Sequence, residues 1–186
     1  MVFLMDQLFF LRHFKTKPDR SKPVSEWGLD KEGLSEMDKL LKSDRLKNID
    51  IIFSSPESKA LLTARKMGEK YQIPVVECNH LVEVDRTQSG FIEGDYLNVA
   101  TEYLGGKNSS HPWETLPDVK KRIRAFLSHA NEKGRGNVLV VSHGLFLSVL
   151  LSEYFGKKPA DYWNSLKFGQ IITANPKKLN TIWNQK

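Results

Sequence analysis

Two histidines sit where apolar runs stop. Leu11-Arg12-His13 closes one run near the N-terminus, and Val140-Val141-Ser142-His143-Gly144 closes another near the C-terminus. In an open α/β sheet, reactive groups are presented at the carboxyl ends of strands. A neutral imidazole can attack phosphorus and form a covalent intermediate. A guanidinium beside it stays charged at any working pH and matches two phosphate oxygens with its forked donors. Gly144 would let the backbone approach a ligand and open a helix whose first N–H groups favour an anion. His143 at that point could donate to a phosphoryl oxygen as charge builds. The chemistry these residue types suit is work on a phosphate.

A third segment, Ser54-Ser55-Pro56-Glu57-Ser58-Lys59-Ala60, places small residues after an apolar strand and a cation one turn into the next helix. Lys59 would supply a point charge to phosphate; taken alone, the same pattern describes a capped surface helix with an exposed lysine. Glu83, in Leu81-Val82-Glu83-Val84-Asp85, is a candidate proton donor to a leaving group, with Asp85 and Glu93 competing for that part. His80, His111 and His129 receive no role. No metal-ligand spacing such as His-Glu-x-x-His occurs in the chain.

The elements that must carry these residues follow from periodicity. Residues 7–11 and 50–53 read as short buried strands, 74–76 as a third, and 137–142 as a strongly β-forming one. Asp30 is a plausible N-cap for a helix through about residue 42, with Leu34, Met37, Leu40 and Leu41 on one face. Ser55-Pro56 is expected to open a helix to about Tyr71, serine capping and proline in the first turn. A short helix over 93–104, a long one over 116–133 closed by Gly134 and Gly136, and one over 145–155 complete the helical set. Residues 170–174 and 181–183 are expected as late strands, paired in a hairpin about Asn175-Pro176. Proline and charge in 15–26 mark a loop. Strands alternating with helices argue an α/β sheet covered on both faces, and no composition break divides the 186 residues, so one domain over 1–186 is expected.

Composition narrows the partners. Hydrophobic residues make up 40% and charged residues 27%, as in ordinary globular proteins. The formal charge of +6 favours anionic partners without choosing among them. The basic cluster over 15–22 reads as solvated surface. No basic stripe interleaved with aromatics argues for nucleic acid, and no segment approaches the ~20 apolar residues of a membrane span. The apolar stretch 2–5 is interrupted by Asp6 and lacks a basic lead, which argues against a signal peptide. Cys78 is the only cysteine, in keeping with a reducing compartment, and cytoplasmic location is the expectation. Nothing selects an oligomeric state.

Taken in order, these segments resemble the histidine phosphatase superfamily, which includes phosphoglycerate mutases and many small phosphatases. Leu11-Arg12-His13 resembles the start of its Arg-His-Gly motif, and 54–64 its second phosphate-binding segment. Leu81 and Glu83, with Gly90 and Glu93-Gly94, resemble the segment carrying its acid, and Ser142-His143-Gly144 its second histidine. Trp27-Gly28-Leu29 with Gly33, and Glu114 with Asp118 and Arg122, agree as well. The resemblance implies a three-layer α/β/α fold with a mostly parallel central sheet, phosphoglycerate mutase-like. It implies His13 as nucleophile, Glu83 as acid, and Arg12, Lys59 and His143, beside Gly144, as ligands of the phosphoryl group, with no metal or cofactor. The expected activity is hydrolysis of a small phosphate monoester through a phosphohistidine. The alternatives are a cofactor-dependent phosphoglycerate mutase, disfavoured by the short middle segment, and a catalytically weak phosphate-binding member of the fold. Three positions depart from the family pattern: Phe14 for glycine, Lys59 for arginine, and Asp19 for a mutase-type asparagine. They predict less backbone freedom beside the nucleophile, loss of a bidentate fork, and repulsion of phosphate.

Overall fold

A computed structural model describes residues 5–89, 91–92, 94–107 and 111–176. Five strands form one sheet in the order β3-β2-β4-β1-β5: β1 (Met5–Arg12), β2 (Ile51–Ser54), β3 (Val75–Glu77), β4 (Gly136–Ser142) and β5 (Ile171–Ala174). The β1, β4, β2 and β3 contacts are parallel, and β5 joins β1 antiparallel at the edge. The mixed, mostly parallel sheet is the one expected. The hairpin foreseen about Asn175-Pro176 lies partly outside the described residues, as does its second strand; within them β5 pairs with β1.

Side-chain alternation explains why the central strands are apolar throughout. Leu8 and Phe10 of β1, with Val138 and Val140 of β4 and Phe53 of β2, pack on one face. There they meet α3 (Tyr96–Leu104), α4 (Leu116–Lys133) and α5 (Gly144–Phe155). Leu11, Leu139, Val141 and Ile52 face the other side, against α1 (Lys31–Lys42) and α2 (Ser58–Tyr71). A strand covered on both faces has no solvated side to fill with polar residues. The result is three layers, α/β/α.

Local signals place most helix ends. The Asp30 side chain accepts from the Gly33 N–H at 2.7 Å, and Thr115 caps α4 with proline in its first turn. The start of α2 differs from expectation. The helix begins at Ser58 with Glu57 at the N-cap, so Ser55-Pro56 stand ahead of it. The Ser55 hydroxyl accepts the Glu57 N–H at 3.2 Å ahead of the helix and meets the His143 ring at 2.8 Å. One helix was not foreseen: α6 (Pro159–Ser165), which has proline in its first turn and packs against α5. Among the described residues no helix is long and apolar enough to cross a membrane.

Candidate active site

Because β1 and β4 are parallel neighbours, with Arg12 paired to Ser142, their carboxyl ends bring Arg12-His13 and His143-Gly144 together. The His13 and His143 rings lie 5.1 Å apart between centroids, edge to face. Both are buried, at 5% and 0% exposure. The convergence expected of two residues 130 positions apart is present.

Each ring is fixed by one polar contact. His13 Nδ1 lies 2.7 Å from the Phe14 carbonyl, so it donates and carries the ring hydrogen, leaving the lone pair on Nε2. His143 Nε2 faces the Ser55 hydroxyl, while Nδ1 has no partner among the described residues. Burial holds the His13 imidazole well below its ordinary pKa, and the His143 ring, Lys59 and Arg12 push in the same direction. His143 is held low first by burial and then by Lys59, Arg86, Arg12 and Arg122. Both imidazoles are therefore neutral at neutral pH.

Arg12 is sandwiched. Its guanidinium carbon stands 4.0 Å from the Phe168 ring centre and 5.2 Å from that of Trp163 on α6. One terminal nitrogen donates to the Leu166 carbonyl at 2.6 Å, and the buried Nε–H has no partner among the described residues. Gly144 is what admits the guanidinium: a Cβ there would lie 2.9 Å from Arg12 Cζ and 2.6 Å from the Trp163 ring. Phe168, 38% exposed, also covers the His13 ring at 5.6 Å.

Phe14 does not crowd the nucleophile. Its ring turns into the core with Leu29 and Met37, over Gly169, where a Cβ would come within 2.5 Å of it. The non-glycine residues with positive φ among those described are Asp44 and Gln72, so Phe14 carries none of the strain that glycine would relieve. Asp19 is likewise engaged locally: it accepts from the Ser21 N–H and hydroxyl, which hold its carboxyl below the usual range.

Lys59 is buried, at 4% side-chain exposure, which removes the alternative of a capped surface helix with an exposed lysine. Its ammonium lies 2.5 Å from Glu57 and 2.9 Å from the Val24 carbonyl. Glu57, which the sequence did not single out, also accepts the Glu83 N–H at 2.7 Å and stands 3.6 Å from His143 Nε2.

Glu83 reaches the N-terminus of α5. Its two oxygens accept from the N–H groups of Leu145, Phe146 and Val84 at 2.9–3.1 Å. Arg122 on α4 holds the segment in place. It makes a two-pronged contact with Glu114, both bonds 2.7 Å, and donates to the carbonyls of His80, Val82 and Glu83. Asp85 is exposed and turns to Thr87, whose bonds hold its carboxyl below the usual range. Glu93 lies outside the described residues. Trp113 is buried against Tyr103, whereas Phe91 is exposed near Trp27. Among the described residues no group of three His, Cys, Asp or Glu is placed to hold a metal ion.

Two neutral imidazoles, a stacked guanidinium and a carboxylate at a helix N-terminus thus stand together at the carboxyl ends of parallel strands. Residues 8–171 match the family described as histidine phosphatase superfamily (branch 1), and the chain belongs to it as a phosphomonoesterase-type hydrolase. It is 32% identical over 112 residues to the uncharacterized phosphatase PhoE of Bacillus subtilis, covering 59% of this chain and 55% of that protein. It is 21% identical over 178 residues to phosphoserine phosphatase 1 of Hydrogenobacter thermophilus, covering 86% and 81%. Its fold matches YhfR of Bacillus stearothermophilus at a TM-score of 0.73, with 20% identity over 90% of each chain.

Proposed function

We propose that the protein hydrolyses a small phosphate monoester without a metal, through a phosphohistidine at His13. The observation that carries this reading is the pairing of two buried neutral imidazoles 5.1 Å apart with the lone pair of one directed by its fixed tautomer. His13 Nε2 attacks phosphorus and the ester P–O bond breaks, with the leaving oxygen taking a proton from Glu83. Water then attacks the phosphohistidine; its proton passes to Glu83, the N–P bond breaks and phosphate leaves. Arg12 Nε–H and His143 Nδ1, both buried and without a partner among the described residues, would donate to phosphoryl oxygens, and Lys59 would add positive charge.

Purified protein should release phosphate from an aryl phosphate, and His13→Ala should abolish that release. Unchanged turnover in the variant would remove the reading. Phosphoserine and other small phosphorylated acids are the substrates to test first, since phosphoserine phosphatase 1 of Hydrogenobacter thermophilus is a relative by sequence over most of both chains.

A further inference from the structure

The ammonium of Lys59 is already occupied. Glu57 Oε2 holds it at 2.5 Å and the Val24 carbonyl at 2.9 Å, inside a pocket where the two side chains are 4% and 12% exposed. The other Glu57 oxygen is bound by the Glu83 N–H at 2.7 Å and faces His143 Nε2 at 3.6 Å. A carboxylate therefore stands among the groups that would surround a phosphoryl group, bonded to one of its cations. Lys59 is close enough for its charge to act on both imidazoles, so its ammonium belongs to the same local field.

An ammonium shared between a carboxylate and a phosphate serves each less well, and two anions at close quarters repel strongly where solvent is excluded. We propose that Glu57 is a resident anion of the phosphate site that competes with the phosphoryl group for Lys59, lowers affinity for inorganic phosphate and so promotes product release. The proposal rests on the phosphatase reading of this site, because Lys59 must face the bound phosphoryl group for the competition to exist. On this account Lys59 and Glu57 are a matched pair. A lone lysine would hold product too well, and the carboxylate tempers it.

The alternative for the pair is purely structural, a buried ion pair tying the start of α2 to the Glu83 segment. E57Q separates the two, since its amide oxygen still accepts the Glu83 N–H while the charge is gone. The probe is inorganic phosphate, measured by calorimetry and by competitive inhibition of aryl phosphate turnover. Removing the carboxylate should tighten phosphate by about tenfold, the scale of one modest charge interaction, and enlarge the rise in melting temperature that phosphate produces. The gain should shrink to within about twofold when E57Q is compared in a K59M background, as expected of residues that act on one partner. Phosphate affinity that is unchanged or weaker in E57Q, or a gain that persists without Lys59, overturns the proposal. E57L repeats the comparison should E57Q not fold, and failure of both to fold would assign Glu57 to structure and overturn it as well. Wild-type protein that neither binds phosphate nor hydrolyses the aryl ester would sink the phosphatase reading itself. Wild-type turnover with no gain in E57Q would sink this proposal alone.

Discussion

In the proposed mechanism His13 and Glu83 divide the chemistry at the scale of single residues, and each is fixed by main-chain groups. The Phe14 carbonyl sets the tautomer of His13, and three backbone N–H groups orient the Glu83 carboxylate. If Glu83 hands a proton to the leaving oxygen, its removal should matter in proportion to how poor that leaving group is. Glu83→Gln should lower kcat/KM, which reports the phosphoryl transfer to His13, by about 10²–10⁴-fold on an alkyl phosphate, and far less on p-nitrophenyl phosphate, whose leaving group needs no proton. Equal losses on both substrates, from steady-state kinetics, would remove Glu83 from the acid role. The convergence of Arg12-His13 with His143-Gly144 was legible in the sequence, because both pairs follow apolar runs that form neighbouring parallel strands. Glu57, Ser55, Trp163 and Phe168 were not. Their partners across the site lie 26 to 156 positions away or on a helix not foreseen, and nothing local distinguishes Glu57 from a solvated carboxylate at a helix start.

The elements explain why the site holds its shape. α4 reaches across the Glu83 segment through Arg122, whose guanidinium meets Glu114 with two 2.7 Å bonds and three carbonyls besides. Both side chains are largely buried, at 19% and 13% exposure, so breaking the pair strands a charge. Arg122→Met should destabilise the fold by about 3 kcal/mol in denaturant melts and lower kcat by loosening Glu83. Arg122→Lys should restore little of either, because an ammonium cannot reproduce the planar fork. A melt within error of wild type would show that the clamp is dispensable. Strand positions and three of the six helices, α1, α4 and α5, followed closely from periodicity. The exceptions are the start of α2 at Ser58, the start of α3 at Tyr96, where the Asp95 side chain caps the helix, and α6, too short for a periodic signal.

At the scale of the whole molecule, the two buried imidazoles tie stability to pH. Each takes up a proton near pH 6.5 when the chain unfolds, but only at much lower pH when folded. Below about pH 6.5 the unfolded state therefore binds more protons, and stability falls by up to about 1.4 kcal/mol per pH unit for each ring until its folded value is reached. Chemical denaturation between pH 7 and pH 5 should show this decline, and replacing His143 with Asn should flatten it by about half, since one of the two rings is gone. A slope that the substitution leaves unchanged would contradict the burial of a neutral ring. The phosphatase account rests most directly on where phosphorus goes. Rapid mixing with a phosphorylated substrate, quenching under alkaline conditions and peptide mass mapping should find a phosphoryl group on the His13 imidazole, absent when His13 is alanine. Phosphorylation at another residue, or full turnover with His13 never labelled, would contradict it.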